Sequence, residues 1–471
     1  NSYYNRAISK YDSEDYKGAI EDYTKVIELN PEYAGAFLNR GFTKEKLDDY
    51  KGAIKDYTKA IELDPENAIP YYNLGITKHD SEDYKGAIKD YTKAIELDPE
   101  YVNAYINRGF SKNLLEDYRG AIKDYTKAIE LDPNDSLAYT NRGYSKLSLK
   151  DNYGAISDCD KAIEINPEYA DSYNCLGEVK SSLGRYESAI KDYSKAIKLD
   201  RNNSYYYALR GDAKVEIEEY LEAINDYRKA IEIYPEYAYA YNNRGLAKDF
   251  FGDSEGAIKD YTKAIEIYPE YAHAYNNRGL AKYFLEDYKD AIKDYTKAIK
   301  LDPNYALAYN NRGFAKYFLE DYRGAIADYD KSIIIDPKNA NFYSDRGAAK
   351  IFSKDYRGAL QDYKQSIKID PNYSKPYAGR ALVKYLTRDF YGAINDSRKA
   401  LTFNPQDYSA LSTLGRSQYE IGEKTNACLN LKKAVSIAIN DFSDDSFDYL
   451  KQKTNYYLAS KEGAWCRNMP D

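Results

Sequence analysis

Apolar residues recur at helical spacing in paired short runs, and residues 306–339 show the pattern well. Gly313 and Tyr317 lie four residues apart, which places them on one face of a helix. After a polar stretch, Ala325 and Tyr329 repeat that spacing in a second run. The small glycine and alanine would let two helix backbones approach closely. The pattern therefore predicts an all-α hairpin of two packed helices.

This hairpin pattern repeats every 34 residues through nearly the whole sequence. The prolines that end the second helix are Pro31, Pro65, Pro99, Pro133, Pro167, Pro235, Pro269, Pro303, Pro337, Pro371 and Pro405. The glycines of the first helix are Gly41, Gly75, Gly109, Gly143, Gly177, Gly211, Gly245, Gly279, Gly313, Gly347 and Gly415. A third column, from Ala19 to Ala427, is always alanine. A fixed period without insertions predicts a stack of hairpins that bury their apolar faces against each other.

The recurring aromatic, Gly, Ala and Pro positions resemble the tetratricopeptide repeat family over residues 1–441. The resemblance implies an all-α, right-handed superhelical solenoid of helix-turn-helix hairpins, with the first helices lining a concave groove. Twelve repeats are predicted at residues 1–33, 34–67, 68–101, 102–135, 136–169, 170–203, 204–237, 238–271, 272–305, 306–339, 340–373 and 374–407. A degenerate thirteenth repeat is expected at residues 408–441. Residues 442–471 are expected to form a capping helix, at residues 446–458, and a tail.

Composition is typical of a folded chain and disfavours two classes of partner. The 471 residues are 43% hydrophobic and 31% charged, with a net charge of −8. No apolar run approaches the roughly 18 residues that a membrane-spanning helix needs. The acidic balance and the lack of a basic block argue against nucleic acid, because binding to phosphates needs clustered Lys and Arg.

Candidate catalytic and metal-binding residues are sparse. The chain has two histidines and four cysteines at no metal-ligand spacing, and no nucleophile, metalloprotease or nucleotide-binding motif. We therefore expect no enzyme activity, no metal and no cofactor. Cys428 and Cys466 could pair across the last repeat, which would imply an oxidising compartment. Because the chain begins at Asn1 rather than Met, either a leader was removed, as in secreted or periplasmic proteins, or the chain is a fragment.

Charged columns cross the repeats and depart from the family pattern, which usually has Leu before the glycine. Arg stands there in ten of the first twelve repeats, with Leu74 and Leu176 in the others, while a Lys column one turn later and an Asp column in the second helix are complete. Two cations one turn apart repel each other and need an acid between them. The sequence predicts a buried Arg, Lys and Asp cluster between the two helices, with Lys as the more constant partner of Asp. Its presence in every repeat indicates architecture rather than catalysis.

Positions that differ between repeats are free to carry binding specificity, and they lie on the first helix. They are polar in the N-terminal half but apolar and aromatic in the C-terminal half. The predicted partner-binding strip is Leu246, Phe250, Leu280, Tyr283, Phe284, Phe314, Tyr317, Phe318, Ile351, Phe352, Tyr385 and Leu386. A contiguous apolar strip on a protein surface usually marks an interaction site. The alternatives are packing between neighbouring repeats and cover by the chain's own C-terminal tail. The uniform first-helix tyrosines, such as Tyr309, are expected in the core.

An asparagine column on the same helices is a second candidate site. Its members are Asn39, Asn73, Asn107, Asn141, Asn243, Asn277 and Asn311. An asparagine side chain can pair with both the C=O and the N–H of an extended peptide, and the column resembles the asparagine ladder of O-linked N-acetylglucosamine transferases. The alternative is a local hydrogen bond between helices. Of the carboxylate clamp in chaperone-binding relatives only Lys375 is present, which disfavours recognition of an acidic C-terminus.

Three functions are consistent with these patterns. The favoured one is a non-catalytic scaffold that binds a peptide or helix of a partner protein in the concave groove. The second is a structural protein that associates end to end into filaments or oligomers, since a solenoid with one weak cap can stack on another copy. The third, a repeat-type RNA reader, is opposed by the net charge of −8 and the lack of a basic column.

Overall fold

The structure, a computed structural model, describes residues 2–441 and Cys466. In that part of the chain every regular element is an α-helix, as the repeat pattern predicts. The chain divides into two compact units, Asn1–Pro235 and Glu236–Asp471. The predicted capping helix at residues 446–458 lies outside the described residues. None of the described helices has both the length and the apolar character needed to cross a bilayer.

Unit 1 contains the helices α1 to α14. They are α1 (Ser2–Asp12), α2 (Tyr16–Leu29), α3 (Ala34–Glu45), α4 (Tyr50–Leu63), α5 (Ala68–Asp80), α6 (Tyr84–Leu97), α7 (Val102–Leu114), α8 (Tyr118–Leu131), α9 (Ser136–Ser148), α10 (Asn152–Ile165), α11 (Ala170–Ser182), α12 (Tyr186–Leu199), α13 (Ser204–Val215) and α14 (Tyr220–Ile233). Each odd-numbered helix packs most closely on the even-numbered helix that follows it. Unit 1 is therefore a run of helical hairpins.

Unit 2 contains the helices α15 to α26 and repeats this arrangement. They are α15 (Ala238–Phe251), α16 (Ser254–Ile267), α17 (Ala272–Phe284), α18 (Tyr288–Leu301), α19 (Ala306–Phe318), α20 (Tyr322–Ile335), α21 (Ala340–Phe352), α22 (Tyr356–Ile369), α23 (Ser374–Leu386), α24 (Phe390–Phe403), α25 (Tyr408–Glu420) and α26 (Lys424–Asp441). Here too the closest pairs are consecutive odd- and even-numbered helices. The hairpins predicted from apolar spacing are thus present in both units.

The turn inside each hairpin has a constant backbone. Between α3 and α4, Asp48 has φ of 59°, and the side chain of Asp49 then accepts a hydrogen bond from the backbone N–H of Gly52, which caps α4. The same left-handed conformation occurs at Glu14, Asp48, Glu82, Glu116, Lys150, Gly184, Glu218, Gly252, Glu286, Glu320, Lys354, Arg388 and Gly422. Most of these residues carry a side chain in a region that favours glycine.

Glycine, alanine and tyrosine fill the interior of each hairpin. A Cβ atom on Gly313 would lie 2.8 Å from Cε1 of Tyr329, so glycine is needed for the ring to pack there. Tyr329 and Ala325 are buried, as are the matching residues of other repeats. Of the first-helix tyrosines expected in the core, Tyr105 and Tyr377 are buried, but most are less buried than predicted. Tyr309, for example, is only half-buried, and its ring centre lies 5.6 Å from Cζ of Arg312, in a cation–π contact.

The predicted ion cluster is confirmed. Nε and Nη2 of Arg278 donate to Oδ2 and Oδ1 of Asp294 at 2.9 and 2.6 Å, and Nζ of Lys282 donates to Oδ2 at 2.8 Å. Lys pairs with Asp even in the two repeats that have Leu in place of Arg, through Asp90 and Asp192. Lys is therefore the more constant partner, as expected.

Arginine changes the electrostatics of the buried carboxylate. The hydrogen bond from Arg6 lowers the pKa of Asp22 to about 2. In the two repeats without Arg, burial instead raises the pKa of Asp90 and of Asp192. The bidentate guanidinium thus compensates for the loss of water around the acid, which a single Lys does less completely.

The cysteines form two disulfides. The expected pair, Cys428 with Cys466, is confirmed. Cys159 is bonded to Cys175, a pairing that spacing alone did not predict. Cys159 occupies the buried tyrosine column and Cys175 the asparagine column, so two departures from the repeat were the available signal.

Candidate functional site

The predicted binding strip lies on the first helices of unit 2 and separates into three rows of matching positions. The first row, here called the exposed row, is at the end of each helix: Phe250 (56% exposed), Phe284 (66%), Phe318 (41%), Phe352 (47%) and Leu386 (43%). The second, the inner row, is Tyr283, Tyr317, Ile351 and Tyr385, and the third is Leu246, Leu280 and Phe314; these residues are half-buried, and Ile351 is buried. Of the three rows, only the exposed row presents a large fraction of its apolar surface, 41–66%, to solvent.

The inner row packs between neighbouring repeats. The ring centre of Tyr283 lies 5.6 Å from that of Phe318 in the next repeat, and Tyr317 lies 5.4 Å from Phe352 in the same way. Ile351 belongs to a core cluster that includes Tyr363. For this row, the structure favours the alternative of internal packing. The inner row is therefore packed in place beneath the exposed side chains.

The exposed row is supported unevenly from below. Phe318 stacks on Tyr288 at 5.4 Å, and Phe352 stacks on Tyr322 at 5.2 Å, with an angle of 16° between the rings in both pairs. The residue that would support Phe284 in this way is Ser254, the first residue of α16. Because serine has no ring, Phe284 is the most exposed member of the row.

A buried charge lies beside the strip. Asp345 accepts a hydrogen bond from Nδ2 of Asn310 at 3.3 Å, and its other oxygen lies 3.4 Å from Nζ of Lys375. Burial raises the pKa of Asp345. The Lys375 ammonium also lies 5.5 Å from the ring centre of Phe314. The cation expected from the carboxylate clamp is therefore already engaged by the chain itself.

The asparagine column makes hydrogen bonds between repeats. Nδ2 of Asn39 donates to Tyr4 at 2.7 Å, and Nδ2 of Asn107 donates to Tyr72 at 3.0 Å. In unit 2, Asn277 and Asn311 donate in the same way to asparagines of the preceding repeat, at 3.1 and 3.0 Å. Asn73, Asn141 and Asn243 are half-buried at the matching position. A bound peptide would have to replace several of these hydrogen bonds between repeats. That the asparagine column pairs with a peptide backbone therefore stays a prediction.

Matching positions in unit 1 carry acids that sequence reasoning did not single out. Glu178 stands where unit 2 has residues of the third row, and accepts hydrogen bonds from Nδ2 of Asn174 at 2.8 Å and from Tyr205 at 3.4 Å. Burial raises the pKa of Glu178 to about 7, and the nearby Asp171 adds to the shift. Its replacement of an apolar residue was the signal available in the sequence. At this position the sixth repeat therefore carries an acid where the third row of unit 2 is apolar.

The strip presents rings and methyl groups rather than reactive groups. Among the described residues, no cluster of His, Cys, Asp and Glu has the arrangement of a metal site. The C-terminal tail, the other occupant considered for the strip, lies outside those residues apart from Cys466. What the described surface can do chemically is bind another apolar surface and exclude water.

Family comparisons agree with the hairpin structure. The tetratricopeptide repeat model matches residues 1–33, 102–135, 170–203 and 272–305. Related models of the same repeat match residues 46–81, 77–112, 124–156, 211–248, 238–271 and 306–339. Together these matches cover well over half of the chain. No curated protein matches the sequence significantly.

Solved structures give a likeness of fold. The APC/C hetero-tetramer Cut9–Hcn1 aligns with a TM-score of 0.51 over 95% of both chains, at 15% identity. Yeast Tom70 aligns with a TM-score of 0.41 over 93% of this chain and 98% of its own, at 20% identity. YrrB, described as a TPR protein with an unusual peptide-binding site, aligns at 0.32 over 39% and 95%, at 27% identity. With its helical hairpins and its repeated family matches, the chain belongs to the tetratricopeptide repeat family, whose members are generally non-catalytic scaffolds for other proteins.

Proposed function

We propose that this protein is a non-catalytic interaction scaffold that binds the apolar face of a helix or peptide of a partner protein through the exposed row of unit 2. The observation that carries the proposal is the set of large apolar side chains at one position in five consecutive repeats, 41–66% exposed. Contiguous apolar surface of this kind usually marks a protein interface. Aromatic side chains are also enriched among the residues that dominate binding energy.

The division into rows supports this function. The inner row and the tyrosines beneath Phe318 and Phe352 hold those rings in place, so little side-chain freedom is lost when a partner binds. Phe284, which lacks such a support, presents the largest exposed fraction of the row. An amphipathic helix can offer apolar side chains at intervals of three and four residues to such a surface. The partner segment should therefore be apolar on one face and carry few charges there.

Selection of peptides from a random displayed library against the full-length chain tests the proposal. We expect selected peptides to share regularly spaced large apolar residues, and to bind the variant Phe284→Ser, Phe352→Ser at least tenfold more weakly. No ring stacks beneath Phe284 in the described part of the chain, and Phe352 is 47% exposed. The melting temperature should therefore fall only by the few degrees that loss of the Phe352 contacts with Tyr317 and Tyr322 accounts for. The matched control is Ile334→Ser, since Ile334 is 72% exposed in the same unit but lies on a second helix.

Two results would contradict the proposal. One is that selected peptides bind the double variant as tightly as the unchanged chain, or lose binding equally in the Ile334→Ser control. The other is light scattering that shows a mass rising with protein concentration in both the unchanged chain and the double variant. That result would favour the alternative function, association of copies end to end.

A further inference from the structure

One junction between repeats in unit 1 lacks a hydrogen bond that most other junctions contain. At seven other junctions, Nη1 of an arginine donates to the preceding repeat's second helix over 2.6–3.1 Å: Arg40 to Thr24, Arg108 to Thr92, Arg142 to Thr126, Arg210 to Ser194, Arg278 to Thr262, Arg312 to Thr296 and Arg346 to Asp330. At the junction of α10 with α11, Leu176 replaces the arginine and Asp160 stands at the acceptor position. The side chain of Leu176 cannot donate a hydrogen bond.

A disulfide lies beside this missing hydrogen bond. Cys159 and Cys175 immediately precede Asp160 and Leu176, and their separation of 16 residues is the one that joins each arginine to its acceptor. Both cysteines are fully buried. The covalent bond therefore connects the same two helices, one residue away from where the hydrogen bond would form.

Two other junctions without an arginine, α4–α5 and α24–α25, carry no disulfide, and the first has Leu74 in place of the arginine. Leu74 is buried there and packs with Tyr57, which keeps its place in the tyrosine column. At the α10–α11 junction the smaller Cys159 stands in that column, so a leucine would have no ring to pack against. At the α24–α25 junction Ser397 and Leu414 occupy the tyrosine and arginine columns, and both are buried. The α10–α11 junction also lacks the arginine and the tyrosine, and there the two cysteines connect the helices.

We propose that the Cys159–Cys175 disulfide is a covalent staple that replaces the missing arginine hydrogen bond, so that the stability of the α10–α11 junction depends on oxidation of these two thiols. The proposal concerns unit 1 and is independent of partner binding. The two thiols lose two protons and two electrons. A disulfide donor, such as oxidised glutathione, accepts the electrons and is released as two thiols after two exchange steps. Because both sulfurs are buried, the staple forms before the repeats close and then resists reductants in the folded protein.

Hydrogen exchange of the full-length chain tests the staple. The chain is refolded with oxidised glutathione or with a phosphine reductant, and exchange is followed in residues 152–182. We expect reduction to raise the exchange rate there about a hundredfold, in line with the usual effect of a disulfide that closes a loop of this length. In the variant Cys159→Ala, Cys175→Ala, exchange should be fast with and without reductant.

The double variant also serves as the control for the second disulfide, because Cys428 and Cys466 are reduced equally in both proteins. A non-reducing digest should yield a peptide that links Cys159 to Cys175. Free thiols at these positions after refolding with oxidised glutathione would overturn the proposal. Unchanged exchange on reduction would overturn it as well.

Replacing the staple by the missing hydrogen bond is the sharper test. Arg346 lies between Asp330 and Asp362, with Nη atoms 2.6 and 2.5 Å from their oxygens. In the double alanine variant, Leu176→Arg would place a guanidinium between the corresponding acids, Asp160 and Asp192. We expect Leu176→Arg to slow hydrogen exchange in residues 152–182 at least tenfold relative to the double alanine variant, with or without reductant. Leu176→Lys, which lacks the planar fork, should restore less. Equal protection in all three proteins would contradict the replacement.

Discussion

In the hairpins that carry the arginine, the buried aspartate binds two cations at once. In α18, Asp294 accepts two hydrogen bonds from Arg278 and one from Lys282. Its side chain is only 7% exposed, so removal of its charge would leave both cations without their acid in a place that water reaches poorly. The net contribution of such a cluster to stability can be near zero even though the loss of one member is costly. Its main effect is to set the register of the two helices.

Asp294→Asn should therefore lower the free energy of unfolding by about 3 kcal/mol. The substitution keeps the size of the side chain but removes the charge that both cations need. The measurement is urea unfolding followed by circular dichroism. The control is Asp290→Asn in the same helix, because Asp290 pairs with Lys293 on the surface and should give no measurable change. Similar losses in both variants would contradict a special role for the buried acid.

Ionisation of Glu178 should oppose folding. Its folded-state pKa of about 7 lies above the usual value, chiefly because of burial. The stability linked to this shift is fully present below the unfolded pKa, near 4.3, and is lost as the pH rises through 7. Glu178→Gln removes the titration and should stabilise the protein at pH 8 by about 1–3 kcal/mol, and at pH 5 by no more than about a third of that. Urea unfolding at both pH values measures this, and parallel pH profiles of the two proteins would contradict it.

Residue patterns predicted the uniform features better than the variable ones. The Asp, Lys and Arg columns pointed to the ion cluster because two neighbouring cations must share an acid. The rows of the strip could not be separated in advance, because periodicity places Tyr283 and Phe284 on one side of the helix but does not show which neighbouring side chains each ring meets. Tyr283 contacts Phe318 of the next repeat, whereas Phe284 has Ser254 where Phe318 has Tyr288. Likewise Cys159 and Cys175 meet only once two repeats are stacked.

Each hairpin turn holds a residue in the left-handed region immediately before the N-cap of the second helix. Glu116 is one example, with φ of 61°, and Asp117 then caps α8. An aspartate or glutamate in this conformation costs energy that glycine does not, although glycine loses more backbone entropy on folding. The sequence predicted the position of these turns from the break in apolar spacing. It could not show their backbone, since Glu and Lys give no signal for a positive φ.

Glu116→Gly should raise the free energy of unfolding by about 0.5–1 kcal/mol, because relief of the left-handed strain exceeds the added entropy. The control is Lys123→Gly in the interior of α8, where the same change should cost about 1 kcal/mol. Thermal unfolding of the two variants beside the unchanged chain gives the comparison. A loss of stability at both positions would show that the turn is not strained.

At the scale of the whole molecule, stability is shared between hairpins and the contacts of each hairpin with its neighbours. In both units the helices contact chiefly those one or two places away in sequence order. Such an arrangement behaves approximately as a one-dimensional array, in which damage spreads over short distances. The 34-residue period was sufficient to predict this organisation. The division into two units at Pro235 could not be predicted from it, because the spacing continues unchanged across that residue.

Gly313→Val should therefore open the protein locally. The added Cβ would lie 2.8 Å from the ring of Tyr329, and forced rearrangement of a packed core costs about 1–3 kcal/mol. Hydrogen exchange should accelerate in α19, α20 and the adjoining helices of unit 2, while α1 to α12 keep their protection. Ala348→Val in α21, at a half-buried position, is the control for added volume. Equal acceleration in α1 to α12 would show that the array unfolds as a whole.

The hydrogen bond from arginine to the preceding repeat has the same orientation at each junction where it forms. Arg278 donates to Thr262 and Arg312 donates to Thr296, at 3.1 and 3.0 Å. Excision of residues 272–305 would therefore place Arg312 where Arg278 now lies. Arg312 could then donate to Thr262 the hydrogen bond that Arg278 donates. Duplication or loss of a 34-codon segment thus preserves this hydrogen bond at the new joint, although side-chain contacts at variable positions change. A change in length by whole repeats therefore leaves no arginine of this column without its acceptor where the preceding repeat carries Thr or Ser at that position.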